Sequence, residues 1–264
     1  MQKHYKKERL MPSIIDSFDV SNPEVFAALA NTRTYQQYLS TLRDLKAGIC
    51  IFCDLKKCKH QPFLEKGNWA AKLSDMPYIN TEHHIIVVYT GGHLEDWGKL
   101  TRKENADFME IKNEIHRMFN IEGSSAVERR GAIRRHAGTI KHLHSHIMVV
   151  ALDEQGFAVG ELRAYFAKSR KELAQCRKML ELFERVRTGN TAGVRNGFVV
   201  FDGCNYLTKD GTLKECNTPS EADLLNFTLD EIRVMCKGKT GLKYYEVMET
   251  DETGIIIKDG YFNL

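Results

Sequence analysis

His142-Leu143-His144-Ser145-His146-Ile147-Met148 sets an imidazole at every second position and runs on into Val149-Val150-Ala151. Alternation with period two is strand geometry, so the three rings are expected on one face of a strand. The chain has ten histidines, and three of them fall within these five positions. One reading is a half-exposed strand that carries histidines by accident. The other is a site that handles protons, a metal or anionic phosphate, since imidazole is the side chain that titrates near neutral pH. The clustering favours the site.

Upstream, Tyr35, Leu39, Leu42 and Leu45 recur at helical spacing. Asn31 or Thr32 is the expected cap of that helix, and Gly48 its stop. Cys50-Ile51-Phe52-Cys53 follows, a C-x-x-C with the spacing of a zinc knuckle. Cys58 and His60 would complete such a site locally. His84-Ile85-Ile86-Val87-Val88-Tyr89 is apolar and β-branched, which predicts a buried strand. Gly91-Gly92-His93 turns the chain. Thr101-x-x-Glu104 is a capping box, and it predicts a helix that buries Phe108, Ile111, Ile115 and Met118-Phe119.

The triad stretch resembles the signature of the histidine triad (HIT) superfamily of nucleotide hydrolases and transferases, His-φ-His-φ-His-φ-φ, with polar Ser145 departing at one φ position. The likeness spans roughly residues 48–152. It implies an α+β fold, a HIT-like antiparallel sheet with packed helices. It assigns His144 as the nucleophile toward the α-phosphorus of a nucleotide, and His146 as the residue that holds phosphate oxygen or passes a proton to the leaving group. It implies a structural zinc on Cys50, Cys53, His93 and His142, preferred here to the local set with Cys58 and His60. It puts a phosphate contact at Thr139, and Gly138 beside it lets the backbone come close to a ligand. Asp75 and Asn80 become candidates for the ribose hydroxyls. An asparagine that small relatives use upstream is replaced here by Gly131 and four arginines. Of Arg129, Arg130, Arg134 and Arg135, any could hold a polyphosphate bidentately, and Arg134 and Arg135 are the phosphate-binding candidates.

The remaining chain matches no family in its pattern. Leu162, Phe166, Ser169, Leu173, Cys176, Leu180 and Phe183 form a heptad-like seam, which predicts a helix from Gly160 to Thr188, roughly 40 Å long at about 1.5 Å per residue. It either pairs with its copy or lies across its own domain. Gly189 to Gly193 reads as a linker. Beyond it a small α+β module is expected: a strand at Phe198–Phe201, a hairpin turn at Lys209–Gly211, helices opening at Thr218-Pro219-Ser220-Glu221 and at Thr228-x-x-Glu231, and paired strands over 243–248 and 255–258. The expected organisation is an arm over 1–30, the HIT-like catalytic domain over 31–160, the long helix over 161–188 and the module over 189–264. Cys204, Cys216 and Cys236 lack metal spacing and read as packing thiols.

Composition narrows the rest. No apolar run follows the charged N-terminus and no stretch reaches membrane-span length, so a cytoplasmic protein is expected. Seven cysteines with one C-x-x-C favour thiols and metal over a disulfide framework. A net charge of +3 suits an anionic small molecule and does not by itself indicate nucleic acid. Family habit and the seam suggest a homodimer. The expected activity is hydrolysis at the α-phosphate of a dinucleoside polyphosphate or nucleotidyl conjugate through a nucleotidyl-histidine. The rivals are a nucleotidyltransferase or phosphorylase of the same superfamily, and a non-catalytic nucleotide sensor.

Overall fold

The alternating stretch forms the strand its pattern predicts, and that strand is flanked on both sides. In the computed structural model, which describes residues 22–136, 138–162, 166, 168–202, 205–215, 224–251, 253–259 and 262–264, β5 (His144–Val150) lies between β3 (Thr81–Tyr89) and β4 (Ser125–Arg129). β2 (Trp69–Leu73) and β1 (Leu64–Lys66) continue beyond β3, so the antiparallel sheet runs β1-β2-β3-β5-β4. Val88 pairs with His144 and His84 with Met148 across β3 and β5, and Arg129 pairs with His144 across β4 and β5. Directly opposed residues share a face. Register therefore collects His84, His144, His146 and Arg129 on one side of the sheet.

The other side is the core. Trp69, Ala71, Ile85, Val87 and Ile147 pack against Phe108, Ile111 and Ile115 of α3 (Arg102–Met118). Thr101 and Glu104 cap α3 reciprocally, as the motif predicts. Ser145 falls on this apolar side and is fully buried.

Residues 23–30 correct the expectation of a loose arm over 1–30. They form α1 (Pro23–Ala30), capped by Asn22, and bury Ala27, Ala28, Leu29 and Ala30. The cap of α2 (Tyr35–Ala47) is Thr34, because Asn31 is spent closing α1 and the Thr32 hydroxyl donates to Leu29 O. Gly48 ends α2 in a left-handed conformation, φ 62°.

The long helix is also corrected. α4 (Arg170–Arg187) has 18 residues, roughly 27 Å. Ser169 and Glu172 form a capping box at its start, and a cap of that kind fixes the boundary more strongly than apolar spacing that continues through it. Its buried face is used within the chain: Leu180, Leu182 and Phe183 pack with Leu29, Tyr38 and Leu42 of α1 and α2 and with Met248 and Ile256. The Tyr38 hydroxyl donates to the Glu184 carboxylate, which Arg187 also holds at 2.9 Å.

The C-terminal residues build a second antiparallel sheet from β6 (Arg195–Asp202), β7 (Asn205–Leu207), β8 (Leu213–Glu215), β9 (Lys243–Thr250) and β10 (Gly254–Ile257), ordered β10-β9-β6-β7-β8, with β11 (Phe262–Asn263) against β9. α5 (Leu229–Met235), capped by Thr228 and Glu231, packs Ile232 with Val200, Leu207 and Leu225. Ile79, in the corner between β2 and β3, packs against the Val199, Phe201, Tyr245 and Val247 cluster, so the two sheets meet there. The helix expected at Thr218–Glu221, with Cys204 and Cys216, lies outside the described residues. Cys236 is buried. No described helix is long and apolar enough to cross a membrane.

Candidate active site and metal centre

Three backbone contacts fix the proton positions of the histidine rings. His144 Nδ1 lies 2.6 Å from the His142 carbonyl oxygen. A carbonyl only accepts, so Nδ1 carries the hydrogen and Nε2 carries the lone pair. His142 Nε2 lies 2.7 Å from Tyr89 O, so its free lone pair is on Nδ1. The Tyr78 N–H donates to His84 Nδ1 at 3.1 Å, which leaves the hydrogen of a neutral His84 on Nε2. That nitrogen is 2.9 Å from His146 Nδ1. His84 therefore donates to His146, and His146 presents Nε2–H. Burial lowers His144 to about 4, opposed by the bond to the His142 carbonyl. Burial, with the charges of Arg33, Lys72 and Arg129, lowers His84 to about 3. Burial also holds His146 well below the ordinary imidazole range. At neutral pH the site thus offers an imidazole lone pair on His144 beside an imidazole N–H on His146, with ring centroids 5.0 Å apart.

The C-x-x-C segment reaches the same strand. Cys50 Sγ lies 3.4 Å and Cys53 Sγ 3.6 Å from His142 Nδ1, and Cys53 Sγ lies 3.3 Å from His93 Nδ1. The four ligand atoms of Cys50, Cys53, His93 and His142 lie within 4.8 Å of one another. Zinc bonds of about 2.3 Å to sulfur and about 2.0 Å to nitrogen give tetrahedral edges of about 3.5 Å, so the set is compatible with zinc. The outer contacts suit it as well. The His142 lone pair is aimed by Tyr89 O, and His93 Nε2 is 3.2 Å from the Glu95 carboxylate, the usual way a ligating imidazole is oriented. Cys58 is buried elsewhere, and neither it nor His60 joins the cluster. Between the two knuckle cysteines, Phe52 sets its ring 5.1 Å from that of His144.

The histidine face opens on a cavity of about 1170 Å³. His84, His144, His146, Arg129, Gly138 and Thr139 form the sheet side. Arg33 and Gln36 come from the α1–α2 junction and α2, Gln175 and Met179 from α4, and Ile257 and Asp259 from the C-terminal sheet and the segment after it. Gly138 is held by its neighbours: Asn31 donates to its carbonyl, and its N–H donates to His136 Nδ1. A Cβ there would come within 2.8 Å of the His136 ring and 3.2 Å of Arg129.

The other sequence-predicted residues fare differently. Asp75 lines the cavity, but its oxygens take Lys72 Nζ at 2.6 Å and the N–H groups of Lys59 and His60. Asn80 is a turn residue with φ 63° whose amide donates to Glu161 O, away from the cavity lining. Arg134 and Arg135 are exposed and outside the lining, with Arg134 paired to Glu24 at 3.2 Å. Arg129 is the member of that group of four that lies buried in the cavity wall. Sequence reasoning missed His84 and Arg33. His84 has the same strand parity as Ile86 and Val88, a signal that it shares their face. Nothing local marks Arg33.

No family model matches the chain, and no curated protein does. Among the solved structures it matches are histidine triad proteins. One from Clostridium difficile is 22% identical, over 44% of this chain and 95% of that one, with a TM-score of 0.32. A HIT family hydrolase from Clostridium thermocellum is 19% identical over 40% and 92%, with a TM-score of 0.31. A zinc-bound histidine triad family protein from Mycobacterium smegmatis is 18% identical over 53% and 96%, with a TM-score of 0.33. At such scores the likeness lends no weight, and the function proposed below stands on the chain's own residues.

Proposed function

We propose that the chain is a nucleotide hydrolase that works at the α-phosphate of a dinucleoside polyphosphate or nucleotidyl conjugate. The observation that carries this is the His144 tautomer. Its Nδ1–H is tied to the carbonyl of His142, so Nε2 meets the cavity as a neutral nucleophile. The Nε2 lone pair attacks phosphorus, and a P–N bond forms as the bridging P–O bond breaks, the leaving oxygen taking the electron pair. His146 Nε2–H, held by His84 behind it, bonds that oxygen as its charge grows. Water then attacks phosphorus, the P–N bond breaks, and the monophosphate and free His144 are restored. Arg129 and Thr139, both in the cavity lining, would supply donors to the phosphoryl oxygens. Cys50, Cys53, His93 and His142 would hold a zinc, which would supply structure by tying the knuckle to the triad strand. Asp75, Asn80, Arg134 and Arg135 have no part in this reading, because their polar groups are committed to the fold or lie outside the cavity.

The test is product analysis by mass. The full chain is incubated with dinucleoside polyphosphates, adenylylated amines and nucleoside-diphosphate sugars, then quenched in base. Released monophosphate and a nucleotide-sized mass on the His144 peptide are expected. His144→Ala should reduce turnover by at least about 10³-fold while leaving nucleotide binding measurable. Tight binding with no turnover in the parent chain would overturn the hydrolase reading in favour of a sensor. Transfer of the nucleotide to phosphate in preference to water would favour a phosphorylase.

A further inference from the structure

Arg33 lines the cavity. Its guanidinium lies over the Tyr78 ring at 4.2 Å and donates to the carbonyls of Met76 and Pro77. Among the described residues no carboxylate is paired with it within 4 Å. The acids that line the cavity are engaged elsewhere: Asp75 by Lys72, Glu95 by Lys141, Asp44 by Arg43, Glu172 by the cap at Ser169, and Asp259 in an interaction of its own. Another cation, Arg129, also acts on Arg33. A guanidinium half-buried in a cavity wall is stabilised when an anion meets it. Carbonyls orient the group and leave its net charge uncompensated, and part of its fork of five donors remains unused.

The position of Arg33 says which anion. Tyr78, beneath Arg33, stacks on His84 with ring centroids 5.0 Å apart, and His84 bonds His146. Arg33 therefore lies past His146, on the side away from His144, and comes from the α1–α2 junction rather than from the triad sheet. We propose that Arg33 is a second anion subsite that holds a phosphate of the leaving half of the substrate, which makes the substrate a polyphosphate compound rather than a nucleotidyl conjugate with an uncharged leaving group. This deepens the hydrolase reading and rests on it for the direction in which the substrate lies. The missing counter-ion is the substrate's own chain of phosphates, held bidentately as guanidinium geometry favours.

Binding and turnover separate the two readings. Inorganic tripolyphosphate and orthophosphate are titrated calorimetrically into the full chain at one fixed ionic strength, and the titration is repeated with Arg33→Gln, which keeps a donor for the carbonyls and removes the charge. The parent chain is expected to prefer tripolyphosphate by at least about tenfold, and Arg33→Gln to lose most of that preference. No preference in the parent, or the same preference in Arg33→Gln, overturns the subsite. If the melting curve shows that Arg33→Gln is unfolded, Arg33→Lys is read instead: a loss of at least about threefold is expected because one ammonium cannot replace the fork, and no loss overturns the subsite. A nucleotidyl-His144 adduct without tripolyphosphate preference would sink the subsite and spare the hydrolase. A preference that follows Arg33 without turnover would do the reverse.

Discussion

Single residues in this chain carry their roles through one or two contacts each. His84 and His146 are held neutral in the fold, whereas both would protonate near 6.5 in an unfolded chain. Both folded values are lowered, so the unfolded state binds the extra protons and stability is full above about pH 6.5. It is lost as pH falls toward about 3, the folded value of His84, at about 1.4 kcal/mol per pH unit for each histidine that stays neutral. Denaturant melts between pH 7 and 4 should show this slope, and His84→Gln should remove about one proton's share of it. Ser145 gives a prediction of the opposite sign. Its hydroxyl is buried with no hydrogen-bond partner among the described residues, so Ser145→Ala should be neutral or stabilising by up to about 1 kcal/mol in the same melts. At this scale the sequence was legible wherever chemistry sat in one strand: the period-two histidines needed only their spacing. The placement of Asn80, Arg134 and Arg135 was not legible, because which way a turn or loop side chain faces depends on partners distant in sequence, Glu161 for Asn80 and Glu24 for Arg134.

Among the elements, the knuckle and α4 show how short segments set the site. The knuckle holds Phe52 against His144, so metal loss should be felt at the triad as well as in stability. Cys50→Ser should lower bound zinc below one equivalent and depress the melting temperature, whereas Cys58→Ser, outside the cluster, should leave zinc content unchanged. Metal analysis by emission spectroscopy reads both. α4 is anchored by Phe183, which is fully buried between Tyr35 and Tyr38. Phe183→Ala should destabilise the chain by about 3–5 kcal/mol, measured by urea unfolding. The capping boxes at Thr101 and Thr228 were readable because each is complete within four residues. The start of α4 was misplaced although Ser169 and Glu172 have the same form, because the apolar spacing through Phe166 read as continuous. β4 was missed because its exposed edge shows little alternation.

The whole molecule is two antiparallel sheets joined through α4 and the Ile79 corner, with the cavity walled by both halves. That union was not legible, since neither module's own sequence says which face meets the other. Cys176, Leu180 and Phe183 of the seam pack within the chain, which weakens one of the two reasons for expecting a homodimer. The turn over 189–193 is exposed throughout, so limited proteolysis should nick there. The two pieces should still co-elute on size exclusion, because Leu180 and Phe183 grip Met248 and Ile256. Separation of the fragments would contradict the shared core. The order in which the walls arrive has a consequence for synthesis. The sheet that carries the histidines is complete once Val150 has left the ribosome, whereas Ile257 and Asp259, which close the far side, are made more than a hundred residues later. During that interval the nascent chain holds these imidazoles open to water on that side, and the cavity gains its far wall only once Ile257 and Asp259 have been made.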